Sequence, residues 1–306
     1  MSLEPNVLKK VNEWLNGNYD AATKAEIQQL LDTNATEQLT DAFYKDLEFG
    51  TGGLRGIMGV GSNRVNKYTL GAATQGFSNF LNNKYPNQDI SVVVAHDSRN
   101  DSDTFGRMTA EVFSANGIKV YFFDGLRPTP ELSFAIREVG AKGGVMLTAS
   151  HNPKEYNGYK AYGADGGQLV APNDKAVLSE VRKISDISDI KFTANEDLIE
   201  SIGVEMDEAY YTALTKLSVS KEAIARQKDL KIVFSPIHGT GAVSVPPILK
   251  RFGFENVITV EEQMIADGNF PTVIYPNPEE EEALKMAINK AKSPLFYRSL
   301  SLLMAP

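Results

Sequence analysis

A chain of 306 residues is long enough for two domains that each bury a core, and 42% hydrophobic with 23% charged residues is an ordinary globular composition. The formal net charge of −8 leaves no basic field for a nucleic-acid backbone, although a few local Arg and Lys still suffice for a phosphorylated small molecule. With no cysteine, disulfides, thiolate metal sites and Cys nucleophiles are excluded together.

The start, Met1-Ser2-Leu3-Glu4-Pro5-Asn6, lacks the charged-then-apolar pattern of a signal peptide, and no apolar run has the length of a membrane span. The expectation is a cytoplasmic protein with neither membrane nor nucleic-acid partners. Residues 4–47 read as helical. Val7, Val11, Trp14 and Leu15 recur at helical spacing, as do Ile27, Leu30 and Leu31, then Leu39, Phe43 and Leu47. The glycine-dense run Phe49-Gly50-Thr51-Gly52-Gly53-Leu54-Arg55-Gly56 reads as a loop.

From residue 90 the pattern alternates: strand 90–95, helix 104–115, strand 118–123, helix 131–139 and strand 143–147. Near-continuous apolar strands separated by helices predict a mixed, mostly parallel sheet with helices on both faces. Residues 185–201, rich in Ser, Asp and Ile, show no clean period and mark a boundary. A second alternation follows, with helix 207–217, strand 230–234, helix 245–252, strand 257–260 and helix 279–291. The predicted organisation is an N-terminal helical segment (1–47), a first α/β domain (48–190) and a second (203–306), the last lacking its final strand. Glu279 to Glu282 form an acidic run at a helix start, where the macrodipole explains them without any function.

Three segments could carry chemistry. Gly50, Gly52, Gly53 and Gly56 let the backbone approach an anion, and Arg55 could grip phosphate with both ends of its guanidinium. The run matches neither nucleotide-binding glycine fingerprint, and a flexible linker is its bland reading. Thr148-Ala149-Ser150-His151-Asn152-Pro153 follows a predicted buried strand, so Ser150 falls at the C-terminal sheet edge where ligands of open α/β sheets collect. A hydroxyl beside an imidazole there could carry a covalent group, or the Ser and Asn could simply satisfy turn backbone. No G-x-S-x-G elbow surrounds Ser150, which counts against a Ser-His-Asp hydrolase. Lys160, ten residues beyond Ser150, could fold back onto the same site; by position alone it is a surface lysine. Of three histidines, His151 sits in the serine loop and His238 ends a strand in Pro236-Ile237-His238-Gly239, whereas His96 reads as structural. Asp97 and Arg99 read as an ion pair fixing a strand-to-helix loop.

Together, F-G-T-G-G-L-R-G, T-A-S-H-N-P and Asn157-Gly158-Tyr159-Lys160 resemble the motifs of the α-D-phosphohexomutases, the phosphoglucomutase and phosphomannomutase superfamily, over about residues 40–292. The resemblance implies that Ser150 carries phosphate and is a ligand of Mg²⁺, and that Arg55 manages the phosphoryl group. It implies that His151 orients the reacting groups and that Lys160 is a general acid/base. Gly52, Gly53, Asn152 and His238 support the phosphate loop. The implied reaction moves phosphate between the 1- and 6-positions of a hexose, or the 1- and 5-positions of a pentose, through a sugar bisphosphate. The loop variants lean towards the phosphoglucomutase and phosphopentomutase branch.

Past Ala291 the resemblance stops. Family members continue into D-x-D-x-D-R, whose carboxylates hold Mg²⁺, whereas Lys292 to Pro306 contain no Asp or Glu. The tail resembles a truncation or a shifted frame, with apolar Leu295-Phe296-Tyr297 and Leu300 to Met304 expected to pack poorly against an open sheet edge. On that expectation the chain retains Ser150 alone of the metal ligands. The competing readings are a non-catalytic fragment with weak phosphosugar or partner binding, and a phosphatase-like enzyme in which the phosphoserine hydrolyses.

Overall fold

The computed structural model describes residues 3–50, 52–293 and 301–304. Three helices open the chain: α1 (Pro5–Asn16), α2 (Ala21–Asp32) and α3 (Thr36–Phe43). Their apolar stripe closes on itself, with Val7, Val11, Ile27, Leu39 and Phe43 buried around Trp14. The Trp14 ring stacks on Tyr19 and meets Phe43 and Tyr68 edge-on, so the tryptophan is a packing residue.

The first sheet is built from β1 (Gly53–Ile57), β2 (Ser91–His96), β3 (Lys119–Phe123), β4 (Gly143–Leu147), β5 (Tyr156–Gly163) and β6 (Ile199–Ile202). Its order is β1-β5-β4-β2-β3-β6. β2 runs parallel to β3 and β4, and β3 parallel to β6, while β5 is antiparallel to β1 and β4. Two sequence expectations change here. Part of the glycine-dense loop is strand β1, whose Gly53 lies so close to Tyr159 of β5 that no Cβ fits, and a strand that carries such glycines does not read as apolar alternation. The boundary stretch contributes edge strand β6, whose four residues are too few to display a period.

Helices α4 (Lys67–Lys84), α5 (Ser102–Ala115) and α7 (Asn173–Val181) cover one face around Phe77, Phe113 and Tyr159. The opposite face, around Leu132, Ile136 and Met146, is covered by α6 (Thr129–Glu138) and α8 (Val204–Lys216). Both faces being covered explains why β2 and β4 are apolar at nearly every position.

The second unit begins with α9 (Lys221–Arg226) and sets β7 (Lys231–Ser235) between β8 (Asn256–Thr259) and β9 (Ser301–Met304) in a parallel sheet. Helices α10 (Gly241–Phe252), α11 (Glu261–Met264) and α12 (Glu281–Lys292) complete it. β9 corrects the expectation that the final strand is missing: main-chain ladder bonds are indifferent to side-chain identity, so a tail with an unfamiliar sequence still pairs with β7. The expected loose packing of Leu295, Phe296, Tyr297 and Leu300 lies outside the described residues. Among the described residues no helix is long and apolar enough to cross a membrane.

α8 links the units. On one side Tyr211 Oη donates to Val243 O at 3.1 Å. On the other, Asp207 receives both Arg127 Nε (2.6 Å) and Nη2 (3.0 Å), and Asp124 receives Nη2 at 3.1 Å. That geometry leaves Glu131 fully buried 4.0 Å from Arg127, with neither carboxylate oxygen hydrogen-bonded. Burial, then the adjacent Asp207, pushes the Glu131 pKa up against the pull of Arg127. The folded state therefore holds a proton that the unfolded chain releases near the ordinary Glu value of about 4.3, so stability falls as pH rises from there through the raised value. Tyr210 and Tyr211 are the other titratable groups that feel this carboxylate. Glu131→Gln is expected to flatten that slope and, at pH 9, to stabilise the fold by on the order of a few kcal/mol relative to wild type. Thermal melts at pH 5 and pH 9 check this; parallel shifts for both proteins would refute it.

Candidate active site

Loops leaving the C-terminal ends of β2, β4 and β7 meet at a cleft of about 440 Å³ between the two units. The first unit contributes Asp97, Ser150, His151 and Lys160, and the second contributes Thr240 and Phe270. A larger hollow of about 1110 Å³, bounded by Trp14, Tyr68 and Phe105, contains none of the predicted site residues. Chemistry, not size, therefore selects the cleft.

Ser150 is exposed, three residues beyond buried β4, and its backbone is left-handed with φ 58°. For a residue with a Cβ that conformation costs on the order of 1–2 kcal/mol, so the surrounding bonds must enforce it. Thr148 Oγ1 accepts from Ser150 N at 3.0 Å, and Asn152 N donates to Ala149 O at 3.2 Å. Among the described residues Ser150 Oγ makes no hydrogen bond. Ser150 is thus an exposed residue on a fixed main chain.

Lys160 arrives by sheet register: on β5 it lies opposite Gly53 of β1 and Met146 of β4. Burial, then Arg55, lowers its pKa below the usual lysine range, with Asp97 opposing. Arg55, on β1, donates from Nη1 to Asn152 Oδ1 at 2.8 Å, which ties the glycine-rich strand to the serine loop. Gly52 and Gly53 lie outside the cleft wall and serve packing. Asn157 is also a brace: buried, it donates to Ser102 Oγ (2.9 Å) and Asn100 O (3.0 Å).

Like Arg55, His238 is not among the residues lining the cleft, although the motif resemblance implies support of the phosphate loop. It is buried outside the cleft wall, with Nδ1 donating to Ile265 O (2.8 Å) and Nε2 facing Thr272 Oγ1 (2.9 Å). It holds the segment that carries Phe270, while its neighbours Ile237 and Gly239 reach the cleft. His96 has its Nδ1 on Asp97 O at 3.0 Å and lies outside this cleft, in keeping with a structural role.

Burial lowers the His151 pKa; Glu279 opposes this, while Arg99, Lys160 and Arg55 add to it. Burial and the three nearby cations thus favour the uncharged imidazole, which can accept or donate a hydrogen bond. Lys160→Met is expected to raise the His151 pKa, and Glu279→Gln to lower it. NMR titration checks both, since the chain has three histidines to assign. Shifts of the opposite sign would mean that the cationic cluster does not surround His151.

Arg99 matters more than its sequence indicated. Its Nε lies 3.6 Å from Asp97, but its shorter bonds are to four carbonyls of the serine loop. Tyr210 and Phe270 in the cleft wall carry no sequence signal, because nothing local in the sequence brings the linking helix α8 or the second unit to this edge.

The metal expectation is tested by the donor set. Among the described residues no three His, Asp or Glu side chains gather as a metal site. The described residues therefore do not fit a complete Mg²⁺ site, and no step is derived through one.

The family profile for phosphoglucomutase/phosphomannomutase α/β/α domain I matches residues 46–188, and that for domain II matches 208–299. The chain is 37% identical over 265 residues to a phosphoglucomutase of Staphylococcus haemolyticus, covering 87% of this chain and 48% of that one. It is 32% identical to human phosphopentomutase over 279 residues, 88% of this chain and 45% of that protein. A structure from Thermus thermophilus, provisionally named a phosphomannomutase, superposes with a TM-score of 0.65 at 28% identity, covering 82% of this chain and 53% of that one. The chain spans about half the length of the curated relatives it matches.

Proposed function

The chain belongs to the phosphoglucomutase/phosphomannomutase family, and from that premise we propose that its Ser150 carries a phosphoryl group between two hydroxyls of one phosphosugar. The observation that carries this reading is the exposed, left-handed Ser150 in a cleft that it shares with Arg99, His151 and Lys160, with Arg55 tied to the same loop through Asn152.

In the forward half-reaction the bond from phosphorus to Ser150 Oγ breaks as a sugar hydroxyl forms its own bond to phosphorus. The proton of that hydroxyl passes by way of Lys160, whose pKa is lowered by burial and by Arg55, to the departing Ser150 Oγ. The resulting sugar bisphosphate reorients, its other phosphate returns to Ser150, and the Ser150 proton travels back through Lys160 to the departing sugar oxygen. Arg55, whose charge is felt by both Lys160 and His151, is the candidate to offset charge on the transferring group, and His151 can orient Oγ or the substrate hydroxyl. A 1,6-hexose or 1,5-pentose phosphate is the substrate class we propose, in line with relatives named phosphoglucomutase and phosphopentomutase.

The test is incubation of the protein with glucose 1,6-bisphosphate labelled in phosphate, followed by peptide mapping. Label on the peptide containing Ser150 is the expected outcome. Label on another residue, or free phosphate released with no labelled intermediate, would refute the assignment.

A further inference from the structure

Arg99 is almost sealed from solvent, its side chain 1% exposed. Nη1 donates to Pro153 O at 2.9 Å and Tyr156 O at 3.0 Å. Nη2 donates to Ser150 O at 2.7 Å and Asn152 O at 2.6 Å. Four carbonyl dipoles of one short segment thus point at a single planar cation. Without it they would repel one another and lose its donors, Pro153 O keeping only the amide of Tyr156, while Ser150 would relax from its unfavourable φ. A lysine cannot replace the fork, since an ammonium donates from one point and offers three donors.

The face of the same guanidinium is covered from the second unit. The Phe270 ring lies 5.3 Å from the Arg99 carbon, and Phe270 is itself buried with φ 49°. The turn carrying it is pressed onto the first unit. Asn100 Nδ2 donates to Asn269 Oδ1 at 3.3 Å, and a Cβ on Gly268 would fall 2.2 Å from Asn100 N. The cation that shapes the serine loop is therefore held between the loop and a turn more than a hundred residues further along the chain.

We propose that Arg99 is the positioning residue of the serine loop and Phe270 its clamp, so that docking of the 267–270 turn sets how Ser150 is presented. The consequence for phosphoryl transfer rests on the reading of Ser150 above; the coupling between turn and loop stands on geometry alone.

Hydrogen exchange of peptides spanning residues 148–158 tests the coupling in wild type, Phe270→Leu, Phe270→Tyr and Arg99→Lys. Leucine keeps the apolar bulk but removes the π face, and tyrosine restores it. Phe270→Leu is expected to speed exchange in the serine loop about tenfold, the scale of a desolvated cation–π contact. Phe270→Tyr should return it to the wild-type rate, and Arg99→Lys should exceed the leucine variant. Exchange in β2 and β4 should stay unchanged in both Phe270 variants. Labelling by the bisphosphate should slow in the leucine variant at saturating concentration, with half-saturation unaltered.

Wild-type exchange of the loop in Phe270→Leu overturns the proposal, as does an equal rise across β2 and β4, which would mean general loosening. If Arg99→Lys does not fold, the Phe270 pair still decides. If no variant is labelled at Ser150, the functional reading fails, and the exchange data decide the coupling separately.

Discussion

Ser150→Ala is expected to leave the protein folded and to abolish its labelling by a sugar bisphosphate. Among the described residues Oγ makes no hydrogen bond, so its removal leaves no buried partner unsatisfied, and the melting temperature should barely move. The loop conformation belongs to the main chain, through Arg99 on the Ser150 carbonyl and Thr148 Oγ1 on its amide. Alanine at φ 58° meets the same Cβ strain as serine. Chemically nothing remains to accept phosphate, and loss of a nucleophilic hydroxyl can cost on the order of 10⁶ in rate. Ser98→Ala is the control, because Ser98 also lines the cleft and its hydroxyl is given no role. Undiminished label in Ser150→Ala, or its loss in Ser98→Ala alone, would move the carrier elsewhere.

Gly53→Ala is expected to break the site from behind. Gly53 lies opposite Lys160 in the β1–β5 ladder, and a Cβ there would fall 2.1 Å from Tyr159 O and 3.1 Å from Lys160 Cα. Both obstacles are backbone, so no rotamer change can relieve the overlap, and the strands must separate. A cost of at least ~3 kcal/mol is expected, in the range reserved for severe steric defects. Arg55 lies two residues further on β1, so its bond to Asn152 is lost with the pairing, and labelling of Ser150 should fall as well. Gly50→Ala is the comparison, since its Cβ would meet nothing closer than 3.7 Å. Equal melting temperatures for the two variants would show that β1 does not depend on this close approach.

Much of the scaffold was legible because burial on both faces writes itself into sequence as unbroken apolar runs. Residues 90–95 and 143–147 could be nothing but interior strands, and both lie at the centre of the sheet. β1 and β6 were not legible. One opens on a glycine that permits close contact with β5 and lies in a glycine-dense run, and the other is a short edge strand with one row of partners. The same distinction runs through the site. Ser150, Lys160 and Arg55 stand out as candidates through the resemblance of their local motifs, and the structure puts Ser150 and Lys160 in one cleft.

Arg99 and His238 read alike in sequence, a polar residue just past a strand, and only packing separates their roles. Arg99 is turned inward onto four carbonyls, and His238 is spent on Ile265 and Thr272. Phe270 carries no chemical signature at all; its position over Arg99 is created by the docking of two units. The sequence by itself determined which segments are buried and which residues are candidates for charge and phosphate chemistry, because those properties reside in single side chains and their spacing. Only the tertiary structure decided which of them share a cleft, since that depends on long-range register between β1 and β5 and on the seating of the 267–270 turn. Neither leaves a period in the chain.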